Sequence, residues 1–245
     1  MRITYKEPYW VKFNWDLTSF HDNQYVTEFN KSVNERLNDF LHQESFAISC
    51  TFKVESDYKK DDISMIFGKP GKQMGLSYNS ETNNVAFEYW LTVNGEDQFR
   101  YFHLKNVLNE DVQNGVTITL IRNKNELIGY KNFEEVNRCT LDGEFVEDYK
   151  LPGLFIGCAS PESVEPNHRY HGEVEIDYFT ITNDITNIGL IKEIHDSEVE
   201  TLLKKDYYPN ILCLYNFKTI NNIGIVYDES KYSNFLEKVP SEFVL

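Results

Sequence analysis

The sequence predicts an all-β protein, an antiparallel two-sheet β-sandwich of the jelly-roll kind with one or two short helices. Short apolar or alternating runs recur along most of the 245-residue chain, and Gly, Asn, Asp and Pro separate them. The helical patterns that a βαβ fold would need between these runs are missing. Many short strands at this spacing are typical of a sandwich or a barrel.

The predicted strands either alternate apolar with polar residues or are continuously apolar. The clearest lie at residues 46–54, 63–67, 85–93, 98–104, 116–122, 127–130, 154–158, 174–182 and 211–217. Asn94-Gly95 separates two alternating runs and predicts a β-hairpin, because both residues tolerate the positive φ that a tight hairpin turn needs.

Two helices are expected beside the strands. The first covers residues 28–41, and its apolar face consists of Phe29, Val33, Leu37, Phe40 and Leu41. The second follows Asp196, where Ser197 and Glu200 have the spacing of a capping box.

The charge balance restricts the partners. The chain has 39 acidic and 24 basic residues and a formal net charge of -15 at pH 7, which repels phosphate backbones and anionic lipid heads. No nucleic acid and no membrane partner is therefore expected.

No signal peptide or membrane span is visible. We expect a cytoplasmic protein, or part of a particle assembled in the cytoplasm, whose partner is a glycan or a protein, with a homo-oligomer as an open alternative.

The four cysteines do not suggest a zinc site, because none forms a CxxC pair. Cys50, Cys158 and Cys213 each lie in a strand-like apolar run. We expect them to be small buried hydrophobic residues in a reducing compartment.

Several strand-like stretches follow one another in a characteristic order. They are ESFAISCTFKV at 44–54, GVTITLIR at 115–122 with NELIGY at 125–130, LFIGC at 154–158 and YHGEVEIDYFTI at 170–181. Their order resembles a laminin-G-like domain of the concanavalin A-like lectin and glucanase superfamily. The resemblance implies a lectin-like jelly roll with its core at 44–205. Residues 1–43 would form an N-terminal extension with a helix, and 206–245 a C-terminal strand that completes a single domain.

The resemblance also raises the possibility of glycoside hydrolysis. Glu173, Glu175 and Asp177 alternate along one predicted strand, so their side chains should share a face. The catalytic strand of laminarinase-type hydrolases reads Glu, one spacer, Asp, one or two spacers, and a second Glu. Glu175-Ile176-Asp177 matches the first part, but positions 178–181 supply no second glutamate. A solvated polar face is the preferred interpretation.

Calcium is the one cofactor that the resemblance suggests. Its ligands would be carboxylate and carbonyl oxygens, and the candidates are Asp177 and Asp228. Asp57, Asp61 and Asp62 form a weaker cluster in a predicted loop. The alternative for each of them is ordinary surface charge.

Two groups of residues are candidates for ligand binding. Trp90 lies on the wetter face of its predicted strand and could join Tyr101, His103 and Arg122, since sugars stack on exposed aromatic rings beside polar groups. The second group is His168, Arg169 and Tyr170, beside a predicted loop. Aromatic residues of a sandwich more often belong to the core.

Three functional hypotheses follow from these observations. The first is a non-catalytic carbohydrate-binding domain, free or as a module of a larger carbohydrate-active protein. The second is a structural or assembly protein of a virion or tail that uses a lectin-like sandwich. The third, a glycoside hydrolase, fits the sequence least well because the second glutamate is missing.

Overall fold

A computed structural model of the chain describes residues 11–13, 25–27, 40–54, 63–68, 74–79, 81–82, 84–146, 155–156, 174–220, 226–231 and 235–238. Within these ranges the strands are β1 (Val11–Phe13), β2 (Tyr25–Thr27), β3 (Ser45–Val54), β4 (Ile63–Gly68), β5 (Met74–Asn79), β6 (Asn84–Val93), β7 (Glu96–Leu104), β8 (Val116–Asn123), β9 (Glu126–Lys131), β10 (Glu134–Thr140), β11 (Glu144–Phe145), β12 (Phe155–Ile156), β13 (Val174–Asn183), β14 (Ile211–Ile220), β15 (Val226–Asp228) and β16 (Phe235–Lys238). The helices are α1 (Asn109–Asn114), α2 (Ile188–Asp196) and α3 (Val199–Leu202).

The strands form a continuous antiparallel path. Its order is β10-β9-β8-β3-β13-β14-β15-β16-β2-β12-β4-β5-β6-β11, with β1 also beside β13 and β7 beside β6. The path folds into two packed layers. Phe67 of β4 meets Phe179 of β13 with ring centroids 5.2 Å apart, and a Cβ on Gly129 of β9 would lie 2.4 Å from Leu104 Cδ2 of β7. The all-β sandwich prediction is confirmed.

The main core fills the space between the two layers. Alternate residues of β3, β6, β8 and β13 point into it, as the two-residue period of a strand predicts. Its largest fully buried side chains include Phe46, Phe52, Phe67, Phe87, Phe102, Phe179, Tyr215 and Phe217. Cys50 and Cys213 are also fully buried free thiols, as predicted, and burial raises the pKa of both. Cys158 lies outside the described residues.

A second apolar cluster covers the outer face of the β8-β3-β13-β14 layer. Ile191 and Ile194 of α2 and Leu202 of α3 pack there against strand residues such as Tyr178. A hydrogen bond also connects α2 to the sheet, since Nε2 of His195 lies 3.0 Å from Oγ1 of Thr51 on β3. No helix in the described part of the chain has the length and apolar content needed to span a bilayer.

The helices differ from the sequence prediction. The longer one, α2, ends at Asp196, and its N-cap is Asn187, whose side chain accepts hydrogen bonds from the backbone N–H groups of Gly189 and Leu190. The predicted helix after Asp196 is only one turn long. Its N-cap is Glu198, not Ser197, and no side chain caps it. The predicted first helix lies outside the described residues up to 39, and 40–42 form a 3-10 turn.

Candidate functional site

Four ring-bearing side chains form a contiguous row on the outer face of the β6–β7 hairpin. The ring centroids are 5.3 Å apart for Trp90 and Phe99, 4.7 Å for Phe99 and Tyr101, and 5.5 Å for Tyr101 and His103. The planes of the last two rings differ by only 10°. Tyr101 is 53% exposed and Phe99 38%, which are the two largest exposures among the described Phe, Tyr and Trp residues. We call Trp90, Phe99, Tyr101 and His103 the aromatic row.

The period of the two strands explains why these rings face outward. Phe87, Tyr89 and Leu91 of β6 are buried in the core, so Trp90 between them lies on the opposite face. On β7 the buried residues are Phe102 and Leu104, which leaves the odd-numbered residues outside. The predicted faces of both strands are confirmed.

The hairpin register places the outward residues of the two strands side by side. Trp90 is directly opposite Phe99, and Glu88 is directly opposite Tyr101. The turn is formed by Asn94 and Gly95 with φ of 53° and 84°, so the predicted tight turn is present.

Glu88 occupies the middle of the aromatic row. It is half-buried, and its Oε1 accepts a hydrogen bond from Ser77 Oγ of the neighbouring β5. Burial raises the pKa of this carboxyl group, and the hydrogen bond from Ser77 opposes the shift. Within the described part of the chain no Lys, Arg or His lies in ion-pair distance of Glu88.

Polar groups border the row at both ends. The amide nitrogen of Asn84 lies 2.6 Å from His103 Nδ1, an arrangement in which the amide donates and the ring accepts. At the turn end, Thr92 Oγ1 donates to Asp97 Oδ1 over 3.1 Å. The surface therefore combines exposed rings with amide, hydroxyl and carboxylate groups that can bind the hydroxyl groups of a ligand.

The structure does not bring Arg122 to this surface. The side chain is buried, Nη1 donates to the carbonyl of Leu41 over 2.7 Å, and Nε donates to that of Lys124 over 2.9 Å. Nη2 reaches Glu144, and the guanidinium lies 5.1 Å from the ring centroid of Phe145. Arg122 thus connects three chain segments, at Leu41, at the β8–β9 turn and at β11, and its donors are used in these contacts and not at the aromatic row.

The two predicted calcium ligands lie on different strands, Asp177 on β13 and Asp228 on β15, with β14 between them. Two strand spacings separate them by about 10 Å. Asp228 Oδ1 accepts from the backbone N–H groups of Leu214 and Ser230, and Oδ2 accepts from the Ser230 hydroxyl, each over 2.8 Å. Among the described residues no three His, Cys, Asp or Glu side chains gather into a metal-binding group.

The strand considered for hydrolysis contains a β-bulge. The register with β3 shifts between Ile176 and Tyr178, so Asp177 is the extra residue and is buried. Glu175 has a different setting, because its Oε2 lies 2.8 Å from Lys53 Nζ in an ion pair across the strands. Glu173 lies outside the described residues.

Several other candidates also fall outside the described part of the chain. These are His168, Arg169 and Tyr170 of the second binding group and Asp57, Asp61 and Asp62 of the loop cluster.

Sequence reasoning did not select Phe99 and Glu88, which the structure places in the candidate site. The alternation along β7 puts Phe99 on the same face as Tyr101, and the alternation along β6 puts Glu88 on the same face as Trp90, so the signal for both was present.

No protein-family model matches the chain, and no curated protein matches its sequence. Solved structures resemble its fold. A proposed carbohydrate-binding protein from Bacteroides ovatus aligns with a TM-score of 0.58 at 12% identity, over 90% of this chain and 59% of that one. The binding domain of botulinum neurotoxin serotype D aligns with a TM-score of 0.47 at 15% identity, over 65% and 38% of the two chains.

A further similar structure is the receptor-binding domain of the botulinum neurotoxin C/D mosaic serotype. It aligns with a TM-score of 0.49 at 13% identity, over 72% of this chain and 40% of that one. The chain thus spans about three fifths (59%) of the length of the Bacteroides protein and two fifths or less (40% and 38%) of the two toxin domains. The similarity to the Bacteroides protein shows a shared β-sandwich fold.

Proposed function

We propose that the chain is a non-catalytic carbohydrate-binding domain whose ligand lies across the aromatic row. The observation that carries the proposal is the contact between four neighbouring rings on a solvent-exposed sheet face, with Tyr101 53% exposed. Sugars present apolar C–H faces that pack on such rings, while their hydroxyl groups need hydrogen-bond partners at the rim. Asn84, Glu88 and Asp97 offer those partners.

The shared fold and the charge agree with this proposal. A protein with a similar sandwich is itself a proposed carbohydrate-binding protein, which is support by fold analogy. The net charge of -15 disfavours phosphate-rich or strongly anionic ligands. The glycosidase hypothesis receives less support. On β13, which would carry the catalytic residues, Glu175 forms an ion pair with Lys53 and Asp177 is the extra residue of a bulge.

Truncation of the central ring tests the proposal. We expect Tyr101→Ala to weaken oligosaccharide binding roughly 5- to 30-fold, since a ring that covers one sugar face contributes about 1–2 kcal/mol. Isothermal titration calorimetry with oligosaccharides selected on a glycan array measures this change. Leu203→Ala is the matched control, because Leu203 is 57% exposed on the opposite, helix-covered side of the sandwich and should leave the Kd unchanged.

Two outcomes would reject carbohydrate binding at this surface. One is unchanged affinity in Tyr101→Ala, with the fold verified by circular dichroism. The other is the absence of any glycan ligand together with a homo-oligomer, detected by light scattering, that Tyr101→Ala dissociates. The second result would make the aromatic row an assembly contact, as the structural-protein hypothesis expects.

A further inference from the structure

Glu88 gives the aromatic row a specific chemical character. We infer that the preferred ligand is a carbohydrate that carries a positively charged amino group, an inference that rests on the proposed function. The ammonium group would lie over Glu88, between Trp90 and Tyr101. This arrangement unites a carboxylate with the faces of several rings, the two kinds of group that attract an organic cation most strongly.

The register of the hairpin places rings along the β7 side of Glu88. Tyr101 is directly opposite, at the spacing of about 5 Å between Cβ atoms that paired residues have. Phe99 and His103 are the diagonal neighbours, and Trp90 is the next outward residue on the same strand. On the other side the carboxylate accepts the hydrogen bond from Ser77 of β5. A cation within about 6 Å of a ring centroid is attracted to the ring face, so an ammonium at Glu88 has aromatic neighbours on the β7 side.

The carboxylate of Glu88 has no cationic partner among the residues that the structure describes. Its hydrogen-bond partner is Ser77. A half-buried carboxylate without a cation is costly, because burial removes water from the charged form. A ligand ammonium would replace that lost solvation, whereas a neutral sugar would offer only hydroxyl groups.

The charges around the row favour the same ligand. Asp97 and Glu96 are exposed at the turn end of the hairpin, and the whole chain carries a net charge of -15. In the outward series of β7 the nearest Lys or Arg is Lys105, four residues beyond Tyr101, or about 13 Å along an extended strand. The exposed carboxylates beside the row and the net negative charge of the chain therefore favour the approach of a cationic sugar from solution.

Three oligosaccharides of equal length and linkage separate charge from shape. They consist of glucose, of N-acetylglucosamine, and of glucosamine with a trimethylated amino group, which remains cationic at neutral pH. We expect calorimetry at low salt to show at least tenfold tighter binding of the cationic oligomer. In Glu88→Gln, which keeps an acceptor for Ser77, this preference should disappear.

The control variant is Glu200→Gln, an exposed carboxylate on α3 that lies away from the hairpin. It should retain the preference for the cationic oligomer. Equal binding of all three oligomers would overturn the inference and leave the proposed function standing. A preference that survives Glu88→Gln would also overturn it, because the overall negative charge would then be its source. Absence of binding by all three, and by every array glycan, would reject the proposed function itself.

Discussion

Arg122→Ala lowers the free energy of unfolding by about 3–5 kcal/mol, because it removes a buried charged group that binds several partners. Nη1 and Nε donate to the carbonyl groups of Leu41 and Lys124, and the guanidinium lies against Phe145. Without these donors the two carbonyl groups lose hydrogen bonds inside the protein, and a cavity replaces the side chain. Urea denaturation followed by circular dichroism measures the loss.

The partner of Arg122 in its ion pair provides the control. The side chain of Glu144 is 83% exposed whereas that of Arg122 is 6% exposed. Glu144→Ala should therefore cost less than about 1 kcal/mol, as exposed ion-pair members usually do. A small effect of Arg122→Ala on stability, combined with a loss of oligosaccharide binding, would contradict the structural role. It would indicate that Arg122 contributes to ligand binding.

Asp228→Ala should cost about 2–4 kcal/mol, since its carboxylate accepts three hydrogen bonds in a buried position. Its Oδ1 accepts from the backbone N–H groups of Leu214 and Ser230, and its Oδ2 accepts from the hydroxyl group of Ser230. These bonds connect β14 to the end of β15. Asp206→Ala, at an exposed turn residue, should change the stability by less than about 0.5 kcal/mol.

The same denaturation experiment tests the calcium prediction for Asp228. If the Asp228 carboxylate binds protein groups and not a metal ion, the unfolding midpoint should be the same with added calcium and with a chelator, in the unaltered chain and in Asp228→Asn. A midpoint that rises with calcium only in the unaltered chain would instead identify Asp228 as a ligand. Stability of Asp228→Ala equal to that of the unaltered chain would contradict the role assigned to these hydrogen bonds.

The strands that sequence reasoning located are those with a regular period or a continuous apolar run. It missed β5, because Gly75 and Ser77 interrupt the apolar pattern. The structure explains Gly75, where a Cβ would lie 2.7 Å from Met65 Cε of the neighbouring strand. It also missed β10, a mostly exposed strand whose one partner among the described strands is β9 and which includes a bulge near Val136. Little apolar burial means little sequence signal.

The candidate site was partly predictable for the same reason. Alternation on β6 and β7 placed Trp90, Tyr101 and His103 on one outer face, and the structure joins them through Phe99. Arg122 was misplaced although the period of β8 puts it on the same face as Ile118 and Leu120, which point into the core. A charged residue that continues a series of core-facing residues along a strand predicts a buried side chain that bonds to neighbouring segments. The bulge at Asp177 could not be anticipated, since a single extra residue leaves no mark on composition.

An NMR titration of the isotopically labelled chain tests the central claim most directly, because it locates the ligand without any substitution. Oligosaccharide that binds the aromatic row should shift the amide resonances of residues 84–92 and 97–103 and the indole N–H of Trp90. Resonances of α2 and α3, on the other side of the sandwich, should stay in place. Saturable shifts confined to α2, α3 or other regions, with the β6–β7 hairpin unchanged, would contradict the account.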